Sequence, residues 1–184
     1  AAQLHARATA GFDERVTQTL ALLQKAARVH AGRIVQATSL GAEDMVLTDL
    51  IARHAVPITL ATLDTGKLHD ETLALIPRIE AHYGLKVQVF RPAETAVVEF
   101  VSRHGERAMF DSVELRKSCC ALRKLEPLSR LLEGMGAWVT GLRREQSMQR
   151  ADVPPYEVEH TGRVKFNPLA AWSWADVWHY IETH

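Results

Sequence analysis

The chain has 184 residues with 22 basic and 22 acidic side chains, so its formal charge is zero. That balance offers no net field to gather nucleic acid or an anionic membrane surface, and no apolar run is long enough to span a bilayer. The length suits one domain, residues 1–184, with a sizeable core, and nothing repeats internally. Two cysteines and no signal-peptide pattern point to reduced thiols and the cytoplasm.

The first predicted helix runs from Asp13 to Val29, with Val16, Leu20, Leu23 and Ala27 at helical spacing and Gly32 closing it. Ile34–Ala37 reads as a short strand. Thr38-Ser39-Leu40-Gly41-Ala42-Glu43-Asp44 then leads into an amphipathic helix carrying Met45, Val46, Leu47, Leu50 and Ile51. Strand, small-residue loop and helix form the layout that aims backbone N–H groups and a helix dipole at an anion. The Gly-Lys-Ser/Thr ending of a Walker loop is missing, and such a turn is more often an ordinary connection.

A second strand, Ile58–Leu63, follows Pro57 and runs into Asp64-Thr65-Gly66. The next helix spans Leu68 to Tyr83, closed by Gly84, with Pro77 expected to kink or divide it. Lys86–Phe90 is a third strand, and Ala93–His104 a further helix. Strands alternating with helices predict an α/β fold, a parallel sheet with helices on both faces. Ligands of such sheets sit beyond the C-terminal strand ends, where Ser39–Gly41 and Asp64–Gly66 both fall.

Gly105–Leu115 reads as a polar link. Both cysteines then stand side by side in Arg116-Lys117-Ser118-Cys119-Cys120-Ala121-Leu122-Arg123-Lys124. Ser118 is read as an N-cap and Cys119 onward as the first turns of a helix ending near Glu133-Gly134. There the dipole and four cations favour thiolate, and Arg123 and Lys124 each share a helical face with a sulfur. Three readings stay open: two small core residues, a strained disulfide between neighbours, or half of a soft-metal or iron–sulfur site.

Trp138–Thr140 is a short strand leading into a loop with Arg143, Arg144 and Arg150. As a bare charge run this is solvated surface, although arginine's planar fork also suits sulfate and phosphate oxygens. Ser173 caps a last helix with Trp174, Val177, Trp178 and Ile181 on one stripe. That helix reaches the last residue, His184, and the first is Ala1, so the sequence reads as part of a longer protein. The nine histidines include no zinc-hydrolase spacing.

Cys119-Cys120-Ala121-Leu122-Arg123-Lys124-Leu125-Glu126-Pro127-Leu128 resembles the iron–sulfur motif of bacterial assimilatory adenylyl-sulfate (APS) reductases, of the sulfonucleotide reductase family. Ser39–Asp44 is similar to that family's modified pyrophosphate loop. Leu63–Gly66, with Glu71-Thr72 downstream, is similar to its second nucleotide motif. Gly141–Ser147 looks like its Gly-x-Arg-Arg-x-Gln-Ser motif, and Val164–Leu169 with Trp172 and Trp174 resembles the segment before its second cysteine pair.

The resemblance implies an adenine nucleotide alpha hydrolase-like (PP-loop) fold. The activity it implies is thioredoxin-dependent reduction of adenosine 5′-phosphosulfate to sulfite and AMP in sulfate assimilation, through a cysteine S-sulfonate. Cys119 and Cys120 would supply two of four ligands to a [4Fe-4S] cluster. The other two ligands, and the nucleophilic cysteine of the family's C-terminal tail, are not in this chain. Lys124, Arg144 and Arg150 would neutralise the sulfate, and Ser39, Gly41, Leu63, Asp64, Gly66 and Gly141 would hold the nucleotide. A homo-oligomer is compatible with the family.

Three alternatives stand beside it. One is a reductase for the 3′-phosphorylated substrate (PAPS). Another is an ATP pyrophosphatase or adenylating enzyme, whose Ser-Gly-Gly-x-Asp-Ser loop this chain lacks at Ala42, Glu43 and Met45. The third is a nucleotide-binding module without catalysis.

Overall fold

The computed structural model describes residues 2–184; Ala1 lies outside the described residues. Its centre is one six-stranded sheet: β1 (Ile34–Thr38), β2 (Thr59–Leu63), β3 (Val87–Phe90), β4 (Ala137–Val139), β5 (Tyr156–Val158) and β6 (Val164–Phe166). The spatial order is β3-β2-β1-β4-β6-β5. All pairings are parallel except β5–β6, an antiparallel edge that the sequence reading did not foresee. Three exposed residues bear little apolar pattern, so β5 is a strand only because β6 lies beside it.

The helices are α1 (Ala2–His5), α2 (Phe12–Val29), α3 (Ala42–Arg53), α4 (Asp70–Leu73), α5 (Leu75–Tyr83), α6 (Glu94–His104), α7 (Val113–Cys120), α8 (Glu126–Leu131) and α9 (Trp174–Thr183). Alternate strand residues serve opposite faces, as the two-residue period requires. Ile34 and Leu60 pack with Leu23 of α2, Leu47 and Leu50 of α3, Ile79 of α5 and Val177 of α9. Val35 and Ala61 face the other way, onto Leu131, Leu132 and Leu128, with Leu63, Phe90 and Trp138 beside them. Helices therefore cover both faces, as expected. The chain leaves β1 toward β2 on one side and returns through β4 on the other, which places the switch point of the sheet at the end of β1.

Proline shapes two helices. Pro77 has no N–H to give and its ring crowds the carbonyl four residues earlier, so the predicted 68–83 helix divides at Ala74 into α4 and α5. Pro127 does the same to Arg123, and there the helix widens instead into a π-turn over Ala121–Leu125. The last helix starts as predicted: the Ser173 hydroxyl accepts from Asp176 N at 3.0 Å, and Asp176 returns the bond to Ser173 N at 3.0 Å. Asp176 also accepts from Thr9 and, at 3.0 Å, from Arg15, tying the segment before α2 to α9.

The cysteine helix corrects the sequence reading. Its cap is Ser112, whose hydroxyl accepts from Leu115 N at 3.1 Å, and Ser118 lies inside the helix. A 3-10 turn at Ala108–Phe110 and the first turns of α7 replace the expected polar link. Cys119 and Cys120 thus sit at the end of α7, where it passes into the π-turn. Any field favouring thiolate comes from neighbouring side chains, because the dipole's positive end lies two turns away. No described helix is long and apolar enough to cross a membrane.

Candidate active site

Two adjoining hollows open beside the C-terminal ends of β1 and β2. The first, about 260 Å³, is lined by Thr38 and Ser39 after β1, Leu63 and Thr65 after β2, Trp138 of β4, and Leu128 and Lys124. The second, about 570 Å³, is lined by Cys119, Cys120, Arg116, Lys117, Arg123 and Lys124, with Thr65, Lys67 and Leu68 on the side of β2. Thr65, Leu68 and Lys124 belong to both, so they form the shared wall.

The loop after β1 is tightly built. Leu40 takes a left-handed conformation (φ 63°), costly for a residue with a Cβ, and its buried side chain in the core pins it there. Ser39 donates to the Asp44 carboxylate through N (2.7 Å) and Oγ (2.6 Å). Buried Gln36 donates to the Asp44 carbonyl at 2.9 Å and accepts from Thr48, locking the start of α3 onto β1. Thr62 Oγ1 donates to the Thr38 carbonyl at 2.8 Å and holds the ends of β1 and β2 together.

The two acids at the start of α3 behave oppositely. Burial pushes the Asp44 carboxyl above its ordinary range, more than the bonds from Ser39 pull it down. Glu43 is also raised by burial, but bonds from Gln146, its own backbone and Arg143 outweigh that and hold it low. Arg143 reaches Glu43 Oε1 through Nε (3.0 Å) and a terminal nitrogen (2.9 Å), and Gln146 adds a third bond at 3.0 Å. Gly141 lies so close that a Cβ there would stand 2.6 Å from Asp44 Oδ1 and 2.9 Å from Glu43 Cβ.

The turn after β2 is an Asx turn: Asp64 Oδ1 accepts from Gly66 N at 3.0 Å, while Oδ2 pairs with Arg91 at 2.9 Å. Gly66 has φ 68°, which suits glycine, and a Cβ on it would meet an Arg123 guanidinium nitrogen at 3.1 Å.

Residues 33–184 match the family model described as the phosphoadenosine phosphosulfate reductase domain. The chain belongs to this family. It is 53% identical over 152 residues to the adenosine 5′-phosphosulfate reductase of Allochromatium vinosum, an alignment covering 82% of this chain and 59% of that protein. The chain thus spans about three-fifths of that relative's length. The structure is similar to a phosphoadenylyl-sulfate (PAPS) reductase from Candida auris solved as a phosphate complex, with TM-score 0.71, 26% identity, and coverage of 97% of this chain and 88% of that one. It shares its fold, at TM-score 0.60 and 14% identity, with Candida glabrata FMN adenylyltransferase in complex with ATP, covering 97% of this chain and 58% of that one.

Within this family fold, the residues singled out in the sequence divide into two groups. Ser39, Leu63 and Lys124 line the first hollow, and Cys119, Cys120 and Lys124 the second. Gly41, Asp64, Gly66 and Gly141 lie behind these surfaces and shape the loops: Gly41 caps α3, and the other three act as described above. Arg144 and Arg150 line neither hollow; Arg144 Nε donates to the Val153 carbonyl at 2.9 Å, and Arg150 donates to Gln146.

Among the described residues no cluster of three or more His, Cys, Asp or Glu side chains could hold a metal. The donor set offered to an iron–sulfur group is therefore two thiols, one buried and one exposed, on one cation-walled hollow. That fits half of a four-thiolate site.

Sequence reasoning named Thr65 only as part of its turn and passed over Leu68, although both line the two hollows, as Arg123 lines the second. Arg123 was marked only as a cation near a sulfur. Its neighbour Gly66 carried the one available signal, since a turn that needs glycine often has something pressed against it.

Proposed function

We propose that the full-length protein reduces adenosine 5′-phosphosulfate to sulfite and AMP, with thioredoxin or a similar dithiol protein as reductant. The observation that carries this reading is the shared wall: Lys124 faces the strand-end hollow on one side and the two thiols on the other. The strand-end hollow would take the adenosine 5′-phosphate, whose contacts come from Ser39, Leu63 and Thr65, on loops shaped by Gly41, Asp64, Gly66 and Gly141. The sulfate would lie toward Lys124. Cys119 and Cys120 would hold half of a [4Fe-4S] cluster, the remaining ligands coming from outside residues 1–184. When bound, that group supplies fixed charge beside Lys124.

The chemistry sets a clear electrostatic demand. A cysteine thiolate attacks the sulfate sulfur, the bond from sulfur to the AMP oxygen breaks, and AMP leaves with the electron pair. A thioredoxin thiolate then attacks the S-sulfonate cysteine and expels sulfite. Thiolate and sulfate repel, so a cation must neutralise the sulfate oxygens in the transition state. Lys124, which lines both hollows, would take that role, and Arg144 and Arg150 would join it by leaving the single bonds they now make. The attacking cysteine is not among residues 1–184, which would act as one reductase domain of a longer cytoplasmic protein, and nothing in the charge balance calls for nucleic acid or membrane. A homo-oligomer is compatible with this reading.

Substrate choice follows from charge. A 3′-phosphate is a further dianion that needs its own basic clamp. The loop after β1 presents Glu43 and Asp44, and the arginine beside them is already committed to Glu43. The test is sulfite release by the full-length protein, purified without oxygen and supplied with thioredoxin. Turnover with the 5′-phosphosulfate at about tenfold or more higher kcat/KM than with its 3′-phosphorylated form is expected, a margin of roughly 1.4 kcal/mol. No sulfite from either nucleotide would overturn the reductase reading, and preference for the 3′-phosphorylated form would overturn the substrate.

A further inference from the structure

Arg123 is an unusual buried cation. It is 7% exposed, lies in the π-turn one helical turn beyond Cys119, and among the described residues forms no ion pair with a carboxylate. One guanidinium nitrogen donates to the Thr65 carbonyl at 2.8 Å, and Nε has no partner. Glu106 feels its charge but is itself bound to Lys67. A guanidinium so buried and so incompletely paired is costly unless an anionic group faces it. The face it offers is the hollow that it lines with both thiols.

The other end of the side chain's reach is the nucleotide side. Thr65 lines both hollows, and Gly66 packs so tightly on the guanidinium that a Cβ would stand 3.1 Å away. A shift of the turn after β2 therefore has to move the guanidinium, or break its bond to the Thr65 carbonyl. A change of charge at the sulfurs pulls on the same group from the opposite side. The rigid planar fork can transmit this where a flexible ammonium could not.

We propose that Arg123 is a positioning residue that couples the two hollows, so that occupancy of the strand-end hollow by an adenosine 5′-phosphate is felt at Cys119 and Cys120 through the Thr65–Gly66 turn. This rests on the nucleotide placement proposed above. Two sites that bias one shared element must be coupled in both directions, so the effect is visible at the sulfurs without turnover.

The experiment uses full-length protein purified without oxygen. AMP affinity is measured by calorimetry, and the rate at which Cys119 and Cys120 become open to iodoacetamide as an added chelator strips any bound iron is followed by peptide mass with and without saturating AMP. In the wild type AMP is expected to change that rate about threefold or more, within the range seen for coupled networks. Arg123→Lys keeps the charge and is expected to retain AMP binding while losing most of the AMP effect on the thiols. Gly66→Ala attacks the same contact from the nucleotide side and is expected to weaken the effect with Arg123 intact. A wild-type thiol rate that ignores bound AMP would overturn the coupling, as would an Arg123→Lys protein that keeps the full effect. Failure of AMP to bind the wild type at all would instead overturn the nucleotide placement.

Discussion

Arg143 and Arg123 are both buried arginines in family motifs, and they are used in opposite ways. Arg143 is 3% exposed and spends its donors on Glu43, on Glu145 and on the Trp172 carbonyl at 3.3 Å. It closes a network that seats the 141–146 loop on α3, and its charge is fully answered. Arg123 has one hydrogen bond and an idle nitrogen, beside two thiols and four other cations. A buried charge with every donor answered is architecture. One left partly unanswered marks where a ligand or a second part of the protein must come.

The sharpest way to break the comparison is to remove the closed member. Arg143→Met strands Glu43 in a half-buried site and is expected to cost about 3–5 kcal/mol in urea unfolding. A loss below about 1 kcal/mol would mean that the network is decoration. The open region should respond the other way. Lys124→Met is expected to leave unfolding within about 0.5 kcal/mol of wild type. In the full-length enzyme it should lower kcat/KM about 100-fold, the scale of losing one donor to a transition-state anion. Equal losses of stability and activity there would erase the distinction.

Gly141→Ala tests how tightly the closed network is packed. Its Cβ would collide with Asp44 and Glu43 at the helix start, where α3 cannot retreat from the sheet. The expected cost is about 1–3 kcal/mol by thermal or urea melting.

The smallest effect separates the two acids by pH. Asp44 has a raised folded-state position, so its contribution is fully present below the unfolded value near 3.8 and is lost as pH rises through the folded value. Asp44→Asn, which keeps an oxygen for the Ser39 bonds, should therefore gain on the wild type as pH rises from about 4 toward neutrality. Glu43 is lowered, so its contribution is present above its unfolded value near 4.5 and is lost as pH falls through the folded one. Glu43→Gln should accordingly flatten the acid limb of the stability profile. Parallel pH profiles for the two variants would contradict the opposite shifts.

The sequence by itself determined the alternation of strands and helices, the two strand-end loops and the cap of α9. Each of those rests on local chemistry: β-branched runs, small residues before an apolar stripe, and a serine three residues before an aspartate. The cysteine pair was legible as chemistry but not as geometry. Its helix begins at Ser112, because tertiary packing carried the helix back through a segment with weak periodicity, and Pro127 turned its middle into a π-turn. Only the tertiary structure decided which arginine of the 141–150 loop is buried: Arg143 is the extended residue before the 3-10 turn Arg144–Gln146 and reaches inward to Glu43, while Arg144, one position on, lies in that turn and is exposed. The antiparallel edge strand and the Arg123–Thr65 contact were equally out of reach. The contact joins residues 58 positions apart, and no spacing in the sequence records which distant carbonyl a buried guanidinium will find.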